Sequence, residues 1–552
     1  MYAVAAIAIF HNLVPVMATN IYSDTGDALL NASILAWNAG HVPLTESWWN
    51  YPSFAPLSGV TAWTEHLLVA YPLTTPIVWF TGSAVLAYNV LLIVCFVANG
   101  LAIFALAKEV TASDRGALVA GLAFAFAPYQ ASQVAHVQML MGFGMPLALL
   151  GLHQYVEQGR RRGIYWFGVG LMAAVLSNAY LLVFFPVLLV LWCLWFGSRR
   201  DDSERGGVRL RRLVAASIAV LIVAIVTAPL FWGYHSRQAA YGLTRSYDEI
   251  RSFGADVNSL ANLGHQEIVW RHWLNTTAIE TALFPGLAII VLSVVGVTAR
   301  VRGAWGKRDP VIFYAIGVVV TFLLALGPEP AWFGTRSGVY GPYQLLLMLP
   351  GTHSIRVPAR VFELTVLCLA VTAGAGAARL LDGARSRWIG VVLAAAVLAE
   401  GWFVDITPKA PEPLPAGTIP AGSLVLDTPL GASFDNVPAE YFAVMGGYRV
   451  INGYSGYAPP HFALLREAMA AHRDEALDGF RQYQDLYVII RPIVEMPFVR
   501  WIERQKGVQT VATSSSWRVY RLPHLDGHPF VQLPIALPKP GQVVFRVPGA
   551  MP

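Results

Sequence analysis

Residues 86–111 read LAYNVLLIVCFVANGLAIFALAKEVT, an uncharged run from Leu86 to Ala107 that ends on Lys108 and Glu109. A helix rises about 1.5 Å per residue, so the run Ala84–Leu106 is long enough to cross the ~30 Å hydrocarbon core of a bilayer. Runs of about 16–25 residues of the same character follow. They are Ala117–Gln133, Met139–Val156, Ile164–Tyr180, Leu181–Phe196, Leu213–Trp232, Ala278–Thr298, Val311–Gly327, Val361–Leu381 and Trp388–Val404. The opening stretch MYAVAAIAIFHNLVPVMATN (residues 1–20) has no basic region before its apolar residues, so it reads as a first membrane helix rather than a cleaved leader. Together these give about eleven predicted spans. LLVAYPLTTPIVWF, residues 67–80, is short and broken by proline, and reads as re-entrant or interfacial.

Composition agrees. Of 552 residues, 56% are hydrophobic and 13% charged, against about a quarter charged in a soluble domain. The net charge of +5 is no nucleic-acid signal, because the basic residues gather in short loops between apolar runs. Cys95, Cys193 and Cys368 all fall inside apolar runs and read as small core residues.

The basic loops alternate. AKEVTASDRG, EQGRRRG, GSRRDDSERGGVRLRR, ARVRGAWGKRD and ARLLDGARSR share one side, which the positive-inside rule makes cytoplasmic. Residues 18–84, on the other side, contain no Lys or Arg. The long segments 18–84, 233–277 and 328–360 are then external, as is the tail after Asp405. This divides the chain into a transmembrane part, residues 1–404, and an extracytoplasmic part, residues 405–552. The second opens on a linker, ITPKAPEPLPAGTIPAG, and reads as a small α/β domain. GSLVLDTP, DLYVIIRP and SSWRVYRLP have strand character, HFALLREAMAAHRDEALDGFRQY is helical by spacing, and PFVQLPIALPKPGQVVFRVPG suggests a β-rich end.

The stretch SDTGDALLNASILAWNAGH (residues 23–41) sets two acids, Asp24 and Asp27, just after the first apolar segment. From Asp27 the spacing is helical: Leu30, Ile34 and Trp37 share an apolar face, while Asp27, Asn31 and Asn38 align within about 40° on a polar one. That pattern predicts an interfacial helix whose polar stripe looks into a cavity. Helix capping by Ser23 or Asp24, with Asp27 in the first turn, accounts for one acid equally well.

Arginines form a second anomaly. Arg237, Arg245, Arg251, Arg271, Arg336, Arg356 and Arg360 lie on the side where basic residues are scarce. Arg356 and Arg360, in PGTHSIRVPARVFEL, immediately precede a span. They read either as snorkelling residues or as a clamp for a phosphate at headgroup level, which suits a guanidinium fork. Glu65 and His66 in TEHLL, with Tyr129, Gln133 and His136 in APYQASQVAHVQ, could position a hydroxyl or ligate a cation, although structural hydrogen bonding explains each singly. There is no GxxxxGK[ST], no dinucleotide fingerprint, no GxSxG elbow and no HExxH.

Acids in a long first external loop, many helices, external arginines and an external C-terminal domain together resemble the GT-C superfamily. These are integral-membrane glycosyltransferases that use polyprenyl-phosphate-linked sugars; the chain looks most like their bacterial, largely uncharacterised multi-spanning members. The stretches GDALLNASILAWNAGH, TEHLL, LAFAFAPYQASQVAHVQML, ETALFPGL and LPGTHSIRVPARV carry the likeness, together with residues 86–111. The resemblance implies that Asp27, or failing that Asp24, is the general base on the acceptor. It implies that Arg356 and Arg360 hold the donor phosphate, with Arg245 and Arg237 next in line, and that Glu65, His66, Tyr129, His136 and Asn31 position substrate. The adjacent acid pair of the mannosyltransferases is here Asp24-x-x-Asp27, which leaves open both the choice of base and a divalent cation; no other cofactor is implied.

The implied partners are a polyprenyl-phosphate-linked sugar, an envelope acceptor (lipid, polysaccharide or protein) and membrane lipids, with no nucleic acid. The implied location is the bacterial inner membrane, multi-pass, with an extracytoplasmic active site and transfer that inverts the anomeric centre. A lipid or glycolipid transporter or flippase is the rival reading; it calls for charges at mid-span and an inverted repeat, whereas the spans are largely uncharged and no repeat is evident. A non-catalytic scaffold leaves the clustered acids and arginines unexplained.

Overall fold

The computed structural model describes residues 1–197, 203–276, 279–304, 308–349, 351–382, 386–404, 406–459 and 462–525. Among them, Ala84–Thr111, Val137–Glu157, Ala179–Gly197, Gly207–Ala240 and Pro358–Leu380 are helical segments long and apolar enough to cross a membrane. Shorter apolar helices cover Leu68–Thr81, Arg162–Ser177, Leu287–Val301, Pro310–Ala325 and Trp388–Glu400. The most enclosed helix is Phe362–Leu380, packed between Asp114–Ala125, Leu287–Ala304 and Pro310–Ala325. Its AGAGAA face lets backbones meet directly, as membrane helices do without a hydrophobic drive between them. A Cβ on Gly376 would fall 1.9 Å from the Leu292 carbonyl oxygen, and one on Gly116 would fall 2.5 Å from that of Gly374. Hydroxyls stitch the same contacts: Ser293 with Thr372 at 2.7 Å and Thr321 with Thr365 at 2.8 Å. Gly376→Val should therefore destabilise the protein by about 1–3 kcal/mol or more, the usual cost of overpacking. Thermal unfolding in detergent reads this as a lowered midpoint.

Several predicted boundaries change. The opening segment is helical only over Tyr2–Ile9, eight residues, followed by a short 3₁₀ turn at Val14–Val16. Apolar length did not register Pro15, which has no amide to donate and crowds the carbonyl four residues back. After that turn the chain runs beside the linker, Ile21 N donating to the Pro408 carbonyl and Ala410 N to that of Thr19. The predicted span Ala278–Thr298 becomes α-helical only at Leu287, after a short 3₁₀ turn at Ile279–Thr281. Pro285 and Gly286 break the chain there, and the Glu400 carboxylate caps the new end by accepting from the Leu287 and Ala288 amides at 3.1 and 2.8 Å. Ala117–Gln133 is likewise split, the helix ending at Ala125 and a five-residue turn starting at Pro128.

The loops segregate. Those rich in basic residues meet at one end, where Glu109 accepts from Gln154 at 2.8 Å and Arg160 at 2.9 Å, and Arg209 pairs with Glu157. The long loops meet at the other. There residues 424–522 build a five-stranded sheet in the order 449–450, 424–428, 486–490, 518–522, 509–513, parallel across the first three strands and antiparallel after. Leu424–Thr428 and Leu486–Ile490 are buried at every position, as central strands covered on both faces must be. The helical stretch after Pro460 is two helices, Phe462–Ala470 and Asp474–Arg481. The stretch PFVQLPIALPKPGQVVFRVPG lies outside the described residues.

Two contacts join this sheet to the first long loop. The helix Val437–Gly446 packs on Asp27–Gly40. Residues 52–55 also pair with the outer strand: Val450 N donates to the Pro52 carbonyl, Ala55 N to that of Val450 and Phe54 N to that of Asn452, all at 2.8–2.9 Å. The strand's open edge is thereby satisfied.

Candidate active site

Asp27 opens the helix Asp27–Gly40. Ser23 takes a left-handed φ of 76°, which turns the chain so that Asp24 Oδ1 accepts from the Gly26 amide at 2.7 Å. Burial pushes the Asp24 carboxyl above the usual carboxylate range; the Gly26 amide draws it back and the Asp27 charge raises it again. Asp24 is thus spent on local backbone. Asp27 reaches away from its own helix, its Oδ2 lying 3.1 Å from His136 Nε2. The other ring nitrogen, Nδ1, is 3.3 Å from Gln133 Oε1, so the imidazole is held at both ends. Among the described residues Asp27 Oδ1 has no partner.

The polar stripe proves mostly structural. Asn31 donates to the Asp27 carbonyl at 2.9 Å and to Gln138 Oε1 at 3.2 Å, tying the helix to the turn that carries His136. Asn38 does not look into a cavity: it is buried, donating to the His66 carbonyl at 2.8 Å and accepting from Trp48 Nε1 at 2.7 Å.

Behind His136 sits an ion pair that no local pattern announced. Arg360 forks onto Glu280 at 2.7 and 3.1 Å, with the Tyr180 ring 4.6 Å from its guanidinium carbon. Burial favours a protonated Glu280, but the charges of Arg360 and His136 outweigh it and hold the carboxyl below its ordinary range. Arg360 is therefore already neutralised, which corrects its reading as a free phosphate clamp. Glu65 lies within electrostatic reach of Arg360 and accepts from the Ala179 amide at 3.3 Å, the first residue of its helix; burial pushes its carboxyl up, and that amide and Arg360 draw it back. The Tyr129 ring packs edge-on against Phe362 at 5.2 Å, in the fields of Glu363, Arg360 and Glu280.

The remaining predicted residues stand apart. His66 is buried against Phe231 and Tyr234, accepts from the Leu68 amide, and is pushed by burial down to about 4, so it is a neutral packing residue. Arg237 pairs with Glu46 at 2.7 Å over Trp49, and Arg245 pairs with Glu249 at 2.8 Å and donates to the Gly456 carbonyl. Both hold loops together rather than face the site. Arg356 differs: its guanidinium lies over Phe253 at 4.9 Å, and among the described residues it meets no carboxylate.

Missed from sequence are Glu280, Gln133 as the orienter of His136, Tyr180 and, from the sheet, Tyr454. Burial pushes the Tyr454 hydroxyl above its ordinary range, the charge of Asp27 raises it further and those of Arg356 and Arg360 draw it back, so all three lie within electrostatic reach of one side chain. An acid inside an otherwise apolar stretch was the available signal for Glu280. Among the described residues no three His, Cys, Asp or Glu side chains converge as a metal site. A cavity of about 140 Å³ lined by Glu109, His153, Glu157 and Arg308 lies at the other end of the bundle and takes no part.

By sequence, no curated protein matches the chain. In fold it is similar to the arabinofuranosyltransferase AftD from Mycobacteria, at 14% identity and a TM-score of 0.57 over 95% of this chain and 40% of that one. The chain thus spans well under half of that protein's length. Weaker likenesses are the archaeal oligosaccharyltransferase AglB from Archaeoglobus fulgidus (11% identity, 88% of this chain and 68% of that one, TM-score 0.49) and ArnT from Cupriavidus metallidurans (12%, 94% and 96%, 0.38). Residues 84–400, which contain His136, Glu280, Arg356 and Arg360 but neither Asp24 nor Asp27, match a family described as a domain of unknown function. The chain therefore belongs to the DUF6311 family, on the fold of the GT-C membrane glycosyltransferases.

Proposed function

We propose that this protein is a membrane glycosyltransferase that moves a sugar from a polyprenyl-phosphate donor to an envelope acceptor, at the extracytoplasmic face of a bacterial inner membrane. What supports the reading is Asp27, a carboxylate held 3.1 Å from His136 with its other oxygen unpartnered among the described residues, together with Arg356, which meets no carboxylate among them; both lie within electrostatic reach of Tyr454. The topology of about eleven spans, with residues 405–552 outside as a separate α/β domain, is part of the same proposal and rests on the alternation of basic loops.

In the reaction, Asp27 Oδ1 takes the proton of the acceptor hydroxyl while His136 holds Oδ2 and so fixes the carboxylate plane. The hydroxyl oxygen attacks the anomeric carbon, the bond from that carbon to the phosphate oxygen breaks, and the lipid phosphate leaves with the electron pair. Arg356 receives its growing charge. A single displacement of this kind inverts the anomeric centre. Arg360, tied to Glu280, positions Tyr180 and the His136 turn rather than binding phosphate alone. The fold shared with an arabinofuranosyltransferase is compatible with this class of chemistry.

The test is donor binding by the reconstituted full chain. Arg356→Ala should weaken binding of a polyprenyl-phosphate sugar on the order of 10- to 100-fold, the scale of charge-assisted hydrogen bonds. Arg356→Lys, which keeps charge but loses the planar fork, should fall between. Parent-like affinity in both would remove Arg356 from the donor site and the reading with it.

A further inference from the structure

The sheet places two aromatic rings beside the acid. Phe434 and Tyr454 lie with centroids 4.6 Å apart and planes 39° from parallel. Phe434 is 48% exposed although it is a large apolar side chain. It lies against the turn just before Asp27, since a Cβ on Gly26 would fall 2.9 Å from its ring. We infer that Phe434 and Tyr454 form a stacking platform for the acceptor, and that the acceptor is a glycan. This rests on the reading of Asp27 as the base.

The backbone carrying Tyr454 is fixed before any ligand arrives. Its amide donates to Glu440 Oε1 at 2.6 Å, Ser455 Oγ donates to the Trp63 carbonyl at 2.8 Å, and Arg245 holds the Gly456 carbonyl while lying 3.9 Å over Tyr457. Such a loop presents a ring without spending binding energy on ordering it. A sugar ring offers an apolar C–H face and a rim of hydroxyls; it needs a flat aromatic surface and nearby acceptors. Phe434 and Tyr454 supply the first, and Asp27 Oδ1, unpartnered among the described residues, the second. A polypeptide acceptor would more naturally add itself to a sheet edge. The edge nearest the site, Arg449–Val450, is already taken by residues 52–55. A simple lipid alcohol would gain little from a carboxylate-rimmed ring.

Calorimetric titration of the full chain in detergent decides this, with three probes: a linear arabinan pentasaccharide, a linear mannan pentasaccharide and a Ser/Thr-rich peptide. At least one pentasaccharide should bind, and Phe434→Ala should weaken it by about two- to tenfold, the scale of a stacked aromatic contact. Tyr454→Ala should do the same and Tyr454→Phe should not. Because Phe434 is exposed, Phe434→Ala should unfold at the parent temperature and decides the matter even if Tyr454→Ala does not fold. Because the readout is binding rather than transfer, a pentasaccharide that binds the parent and loses affinity in Phe434→Ala leaves this result standing even where Asp27→Asn retains transfer and the base reading fails. Binding of the peptide alone, binding of none of the probes, or pentasaccharide affinity unchanged in Phe434→Ala overturns the platform.

Discussion

Asp27→Asn is expected to leave the protein folded and in the membrane while transfer falls by about 10²–10⁴-fold, the usual contribution of a general base. Asparagine keeps the size of the side chain and an oxygen toward His136 but cannot accept the acceptor's proton. If Asp27 served only its helix, the loss would be on the order of 1 kcal/mol of stability and transfer would persist. Asp24→Asn is the internal control. Asp24 is occupied by the Gly26 amide, so its change should lower transfer far less. Initial rates with a labelled polyprenyl-phosphate sugar measure both. Near-parent transfer by Asp27→Asn with loss in Asp24→Asn would exchange the roles, and parent-like rates in both would sink the mechanism.

Glu280→Gln should be the most destabilising single change near the site. It strips the one carboxylate that, among the described residues, pairs with Arg360, whose side chain is 7% exposed, and leaves a buried charge unmatched, at about 3–5 kcal/mol. The double variant Glu280→Gln with Arg360→Met should recover much of that, since exchanging a whole buried pair for an apolar side chain is often neutral. Thermal unfolding in detergent compares them. A Glu280→Gln midpoint equal to the parent's would mean that Arg360 finds another partner.

Bilayer thickness sets one length for every span, which is why the long apolar helices were legible as far as their order along the chain. Where that length had to compete with a local break, it misled: Pro15 shortens the opening helix, and Pro285 with Gly286 delays another until Leu287. Asp27 was legible because an acid beside a membrane segment is rare enough to need a cause. His136 was legible as a polar group near a helix end, though its partner was not. Arg360 was visible and its neutralisation was not, because Glu280 lies 80 residues away and only packing brings the two together. Tyr454 carried no signal, since its proposed role exists only through the sheet's placement over the first long loop.

The pairing of residues 52–55 with the strand Arg449–Val450 has a bearing on biosynthesis. Asp27 leaves the ribosome roughly 400 residues before the strand that anchors its loop, and closing so long a loop is slow rather than prohibitively unfavourable. Until that strand is made, the acid therefore sits on a helix that the sheet does not yet anchor. Chains cut short before the sheet should insert and remain silent. Synthesis of the sheet would thus act as a licence for the proposed transfer, withheld from nascent and truncated copies by nothing more than the order in which the two partners are made.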